Sequence, residues 1–293
     1  QLVPARLFGD SKAGQPVGAV HPHVAAAYPA LTVERYEEAA LDEVDLVFAA
    51  LPHGESQKIA PGILDRGIPF VDLGADFRLS SAADYERWYG EPHQAPDLLG
   101  RFVYGIPELH RDAIRSAKAV AAAGCYPTAA ILALKPLLDA GLAKSRAVIV
   151  DAASGVSGAG RALKEATAFN TVEATVAAYG LLNHRHTAEI EMGLGANVLF
   201  TPHLVPMTRG ILATCYAEAG WDMRPGDPLE ALRAAYACEP FVHVTDDPPA
   251  TKWTAGSNAA LVTARYDERT GRVLALCAID NLVKGAAGQM IQC

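Results

Sequence analysis

The sequence predicts an α/β protein in two parts: a first domain built on a parallel sheet covered on both faces, and a second α+β domain with a mixed or antiparallel sheet. Three observations carry this. Short apolar strand-like runs without polar alternation are spaced by helical stretches over the first half of the chain, the pattern of strands buried on both faces. From Ala147 onward the strand-like runs lengthen and several alternate polar with apolar residues, as in a sheet with one open face. The length, 293 residues, accommodates two domains of ordinary size.

Taken in order, Leu2–Gly9 reads as a strand, and Asp45–Leu51 is an apolar run closed by Pro52-His53-Gly54. Ser56–Arg66 reads as a helix, Pro69–Leu73 and Ala117–Ala123 as strands, and Pro127–Ala140 as a strongly helical stretch entered through a turn at Gly124. Strand Ala147–Ala153 runs into the glycine-rich Ser154–Arg161, which is expected to precede a helical stretch. Asn197–Leu204, Ile211–Ala219, Ala259–Tyr266 and Val273–Ile279 read as longer strands, with helices near Thr187–Gly193 and Pro228–Tyr236. Asn281–Ile291 reads as a final helix that returns to the first domain. The expected division is residues 1–124 plus 280–293 against residues 125–279.

Composition narrows the function. Hydrophobic residues make up 51% and charged residues 20%, as in a globular protein with a substantial core. A net charge of −8 argues against nucleic acid as a partner, because phosphate backbones call for clustered Lys and Arg. No apolar run is long enough to cross a bilayer, so no membrane partner is expected. The start, Gln1 to Arg6, lacks the basic residues and apolar stretch of a signal peptide. The five cysteines are odd in number and form no C-x-x-C pair, which argues against a disulfide framework or a metal cluster and favours a reducing cytoplasm.

Four segments carry candidate chemistry. Cys125 lies between a strand and a helix, with Pro127 suited to the first turn. Free amides and the helix dipole there favour a thiolate and an oxyanion or phosphate. The local sequence leaves two readings open: a nucleophile, or a buried structural cysteine. The segment from Asn183 to Glu191 holds His184, Arg185, His186, Glu189 and Glu191, enough to supply a proton carrier for a nucleophile. Glu189 follows His186 by three residues, so on a helix it is placed to orient the ring. A solvated helix start is the alternative, and a zinc pair is disfavoured because His184 and His186 are two apart, not four.

Ser154–Arg161 could cradle a phosphate or admit a cofactor, or be a plain turn. It misses the serine-hydrolase elbow G-x-S-x-G around Ser157 only at Ala159. Ser11 and Lys12, after the first strand, suit a 2′-phosphate. Asn281 is a helix cap by default, or a partner for a nicotinamide amide.

These segments together resemble the N-acetyl-gamma-glutamyl-phosphate reductase family of arginine biosynthesis. The matching pieces are Asp10–Gly14, His21–His23, Leu51–Gly54, Asp72–Arg78, Tyr104–Glu108, Gly124–Thr128, Ser154–Arg161, His184–His186, Pro206–Thr214, Gly256–Asn258 and Ile279–Gly285, in the family's order over nearly the whole chain. The resemblance implies a Rossmann-like NADP domain, a second domain of the glyceraldehyde-3-phosphate dehydrogenase type, and a homodimer or homotetramer. It implies NADPH-dependent reduction of an acyl phosphate through a Cys125 thioester, with His186 as acid/base. His184, Arg209 and Glu189 are implied to bind substrate, and Ser11, Lys12, Pro52, Gly54, Ser154, Ser157, Gly158 and Asn281 to bind NADP(H). No metal is implied. The family opens with a strand and a glycine-rich phosphate loop that this sequence lacks, so a loss of cofactor affinity is expected. Other readings are a lysine-pathway aminoadipyl-phosphate reductase, a serine hydrolase on Ser157, and a non-catalytic fragment.

Overall fold

A computed structural model of the chain describes residues 2–221 and 223–293. Gln1, counted in the expected first domain, lies outside the described residues. Strands β1 (Leu7–Phe8) and β2 (Val33–Glu34) pair in parallel, with a short helix α1 (Val17–Val20) between them. The chain continues through β3 (Val47–Ala49), α2 (Ser56–Asp65), β4 (Phe70–Asp72), α3 (Ala82–Tyr89), β5 (Phe102–Gly105), α4 (Pro107–Ser116) and β6 (Ala119–Ala122). The order β3-β4-β6-β5 makes a parallel sheet. Every residue of β4 and β6 is buried, which is why these runs show no alternation.

The second part begins with α5 (Cys125–Asp139), then β7 (Val148–Ser154), α6 (Phe169–Val172), β8 (Ala177–Ala178), α7 (His186–Leu194), β9 (Val198–Leu204), β10 (Ile211–Glu218), α8 (Asp227–Ala235), β11 (Val242–Val244), β12 (Ala260–Asp267) and β13 (Arg272–Ile279). The seven-stranded order is β11-β12-β13-β10-β7-β9-β8. It is mixed: β7–β9 and β11–β12 run parallel, the other pairs antiparallel. Along β7 and β10 every second residue is buried. The buried set packs on α5, whose Ile131, Leu132, Leu134 and Leu137 are fully enclosed. Each such side chain contributes about 1.5–3 kcal/mol of burial. The opposite face, with Ile149, Leu199, Leu212, Leu274 and Leu276, stays partly open.

Helix α5 contains Pro136, which cannot donate to the carbonyl of Leu132. The Tyr236 hydroxyl donates to that carbonyl instead, at 2.7 Å, so the buried acceptor is satisfied from the end of α8.

The elements depart from the sequence expectation in four places. The first strand is only Leu7–Phe8 rather than Leu2–Gly9. Strand β7 starts after Ala147, whose φ of 53° is not extended. The glycine-rich Ser154–Arg161 folds into a 3-10 turn at Val156–Ala159, and the next α-helix comes only at Phe169. The last helix is delayed: a π-helical turn over Val283–Ala287 precedes α9 (Gly288–Gln292). Its Met290 packs with Val71, Ile114, Val120 and Ala122 of the parallel-sheet part, as expected of a returning segment.

The return is tied by a buried ion pair. Lys284 Nζ donates to Glu108 Oε1 at 2.6 Å and to Gln292 Oε1 at 2.8 Å, and both ionic side chains are fully buried. Lys284→Met leaves a buried carboxylate with only the Gln292 amide, and is expected to cost about 3–5 kcal/mol in chemical denaturation. Adding Glu108→Leu should recover most of that loss, because it removes the stranded charge. A double variant no more stable than the single one would contradict this.

Candidate active site

Three parallel strands end at the same edge, and each feeds a candidate loop: β3 into Pro52–Gly54, β4 into Leu73–Arg78, β6 into Gly124–Cys125. That edge is where open α/β sheets bind ligands. Gly124 is the N-cap of α5 and Cys125 its first residue, as the strand–turn–helix pattern predicts. Cys125 is partly exposed. Burial pushes its thiol up to about 11, while Arg78 and the amides of Tyr126 and Cys125 act downwards. Desolvation thus opposes the thiolate that the helix start favours. Gly285, on the π-helical turn, lies flat against the cysteine. A Cβ at residue 285 would come within 2.7 Å of Cys125 Cβ.

The histidine segment forms the start of α7. His184 Nδ1 accepts the backbone N–H of His186, the first residue of α7, at 3.2 Å, so that nitrogen carries no proton. Burial, helped by Arg185, lowers its pKa to about 4. His186 reaches further in. A Cβ on Gly124 would lie 2.7 Å from His186 Nε2, 2.9 Å from Arg78 Nη1 and 3.0 Å from Glu189 Oε2. Three functional groups thus converge on the residue before Cys125, and only glycine leaves them room. Burial, then Arg78, His184 and Arg185, hold His186 well below its ordinary pKa. Its Nδ1 is buried and has no partner among the described residues.

Glu189 is fully buried but does not orient His186. Its Oε1 accepts the Gly124 amide at 2.6 Å and the Tyr104 hydroxyl at 2.8 Å, and its Oε2 faces Arg78 Nη1 at 3.4 Å. The three-residue spacing does put Glu189 near His186's face, but the carboxylate leans toward the parallel sheet. Arg78 also donates to Ala122 O at 2.9 Å and Leu73 O at 2.7 Å.

A second cluster surrounds the glycine-rich loop. Val156 and Ser157 amides donate to Met207 O and Thr208 O, and Gly155 N donates to Gly210 O. A Cβ on Gly155 would stand 2.8 Å from this backbone, so the crossing requires glycine. Asn281 is not the cap: Asp280 Oδ1 accepts the Leu282 amide at 2.8 Å and the Val283 amide at 3.2 Å. Asn281 bridges instead, its Oδ1 accepting Gly210 N at 2.7 Å and its Nδ2 donating to Ser157 Oγ at 3.0 Å. Ser154 is buried beside Gly158, whose absent side chain would meet Ser154 Oγ at 3.1 Å and Asn281 Nδ2 at 3.5 Å. Arg209 is 44% exposed, pairing with Asp280 through Nη1 and leaving its other nitrogens free for a ligand. Among the described residues no imidazole bonds Ser157, whose Oγ accepts from Asn281 instead, so the serine-hydrolase arrangement is not formed there.

Gly54 has φ +84°, and its amide donates to Asp76 Oδ1 at 2.8 Å beside Pro52. Ser11 and Lys12 sit exposed on the turn after β1. Arg78, Tyr104, Asp280 and Gly285 were given no role by sequence. The signal available for Arg78 was its place in the matching piece Asp72–Arg78.

Comparison with known proteins places this geometry. The semialdehyde dehydrogenase NAD binding domain matches residues 2–117, and the semialdehyde dehydrogenase dimerisation domain matches residues 125–281. Aspartate semialdehyde dehydrogenase II of Vibrio cholerae superposes with a TM-score of 0.67 at 18% identity, over 98% of this chain and 96% of that one. A probable aspartate-semialdehyde dehydrogenase of Pseudomonas aeruginosa gives 0.69 at 20%, over 98% and 87%. These show the shared fold. The N-acetyl-gamma-glutamyl-phosphate reductase of Heliobacterium modesticaldum is 45% identical over 98% of this chain and 85% of its own length. That of Symbiobacterium thermophilum is 47% identical over 97% and 84%. A probable chloroplastic member from Arabidopsis thaliana is 44% identical over 98% and 73%. Identity of that size along nearly the whole chain, on a nicotinamide-dinucleotide-binding oxidoreductase fold, means that the chain belongs to the N-acetyl-gamma-glutamyl-phosphate reductase family.

Proposed function

We propose that the chain reduces N-acetyl-gamma-glutamyl phosphate to N-acetylglutamate semialdehyde and phosphate, using NADPH and a thioester on Cys125. The observation that carries this is the placing of His186 Nε2 over Gly124, the residue that adjoins Cys125 at a helix start. Cys125 Sγ bonds to the acyl carbon and the bond to phosphate breaks. His186, neutral because its pKa is depressed, takes the thiol proton and passes it to the departing phosphate. His184 Nδ1 is taken up by the His186 amide, so His186 is the acid/base of the pair. The first-turn amides of α5 face the oxygen that gains charge. When the aldehyde leaves, the oxyanion left by hydride addition reforms the carbonyl, the C–S bond breaks, and His186 passes a proton taken up from solvent to the sulfur. Arg209, with free guanidinium nitrogens, and His184 hold the substrate's anionic groups.

NADPH, when bound, supplies the hydride for the thioester carbonyl. The residues fit it: the strand-end edge carries Pro52 and Gly54, and Gly158 leaves a space beside Ser154, Ser157 and Asn281 that a side chain would fill. Ser11 and Lys12 are free to take the 2′-phosphate. Lys12→Glu is expected to lower the NADPH-to-NADH ratio of kcat/KM about 10–100-fold, the value of a charge-assisted contact. Steady-state kinetics with both nucleotides checks this, and an unchanged ratio would remove Lys12 from the site.

We also assign residues 1–124 plus 280–293 to the cofactor domain and 125–279 to the catalytic domain, on the strength of Met290's packing. The partly open face of the seven-stranded sheet is the homo-oligomer contact, and the location is cytoplasmic. Among the described residues no helix is long and apolar enough to cross a membrane.

The test is NADPH oxidation and phosphate release with the glutamyl and the aminoadipyl acyl phosphates in parallel. One methylene changes selectivity about 10–200-fold. Faster turnover of the aminoadipyl compound would move the assignment to the lysine pathway. Failure on both would end it.

A further inference from the structure

We propose that Glu189 and Arg78 form a clamp that fixes the Gly124–Cys125 corner, and that Glu189 works as a positioning residue rather than as a substrate ligand or proton carrier. This rests on the reading of Cys125 as nucleophile. A buried carboxylate is costly unless it is paired and hydrogen-bonded. Glu189 is both, yet every partner belongs to the other half of the fold: Gly124 N, Tyr104 Oη and Arg78 Nη1. Oε1 takes the amide of the N-cap residue, which no helical carbonyl can use. Arg78 closes the arrangement by holding Leu73 O after β4 and Ala122 O at the end of β6. Its planar guanidinium satisfies three acceptors at once, which an ammonium on a flexible stem cannot reproduce.

The groups facing the corner are Arg78 from the loop after β4, Tyr104 from β5, and His186 and Glu189 from α7. The charged members act on Cys125 with opposite sign, Arg78 favouring the thiolate and Glu189 opposing it. Charge and position therefore separate experimentally. If the clamp positions the corner, altering either partner slows turnover, although neutralising Glu189 moves the thiol's titration and a charge-conserving change at Arg78 does not.

The experiment compares Glu189→Gln, Arg78→Lys and Tyr104→Phe. It measures kcat, both KM values, melting temperature, and the pH dependence of iodoacetamide alkylation read by mass spectrometry at the Cys125 peptide. Glu189→Gln keeps an oxygen for Gly124 but sets an amide N–H against Arg78. Its kcat should fall about 100-fold, the effect of an ångström-scale misplacement, with both KM values within about threefold. Its alkylation midpoint should move to lower pH. Arg78→Lys keeps the positive charge but not the planar fork, so it should lose a similar factor with its midpoint nearly unmoved. Tyr104→Phe removes one neutral bond and should lose about three- to tenfold. It also serves, with Glu189→Gln, where Arg78→Lys is too unstable to assay. An acyl-phosphate KM raised tenfold or more with kcat unchanged would make Glu189 a substrate ligand and overturn the proposal. So would unchanged kcat in Glu189→Gln and Tyr104→Phe. Failure of the underlying reading is distinguishable, because it appears as retained turnover in Cys125→Ser.

Discussion

Cys125→Ser is expected to lower kcat/KM by at least about 10⁴-fold, or about 5 kcal/mol of transition-state stabilisation, with the melting temperature within a few degrees of the parent. The size follows from chemistry: a serine hydroxyl is a far weaker nucleophile and forms an ester that accepts hydride poorly. The small structural effect follows from the site. Gly285 presses on Cys125 Cβ, so an isosteric side chain fits where a branched one would not. The same residue gives a pH test. With burial pushing the thiol up to about 11, alkylation of Cys125 in the ligand-free protein should be slow at pH 7 and rise about tenfold per pH unit up to that region. The measurement is the iodoacetamide rate at the Cys125 peptide across pH. A plateau already reached at pH 7 would mean a resting thiolate, the outcome first expected from the helix start alone.

That contrast marks what was legible in the sequence. Local patterns gave the alternating strands β7 and β10, the helix after Gly124 and the place of Cys125 at its start, because each depends on neighbours a few residues apart. Burial of the thiol was not legible. Gly285, which lies against the cysteine, is 160 residues away in the sequence, and Arg78 and Glu189, whose charges act on the thiol, are 47 and 64 residues away. Glu189 shows the same limit. Helical spacing put it beside His186, but a buried carboxylate goes where its donors are, and those belong to Gly124, Tyr104 and Arg78. Of the two readings of Asn281, the cap fails, since Asp280 beside it accepts the following amides.

His186→Asn should lower kcat about 10²–10⁴-fold, the usual contribution of a positioned general base. The sign of its pH effect is fixed by the environment. Burial, Arg78, His184 and Arg185 all disfavour the imidazolium, so the ring titrates below its ordinary range. As a base it works when neutral, and activity should therefore be retained down through pH 6.5 and fall only at lower pH, on an acid limb set by His186. His186→Asn should remove that limb while leaving low residual turnover. His184→Gln is the internal control. Its side-chain oxygen can still cap α7, so its kcat should fall by no more than about tenfold, with a modest loss of stability from the altered cap. The pH–rate profiles of the two variants decide between the rings. If His184→Gln loses more turnover than His186→Asn, or carries away the acid limb, the proton passes through His184, and its bond to the His186 amide must open during the reaction.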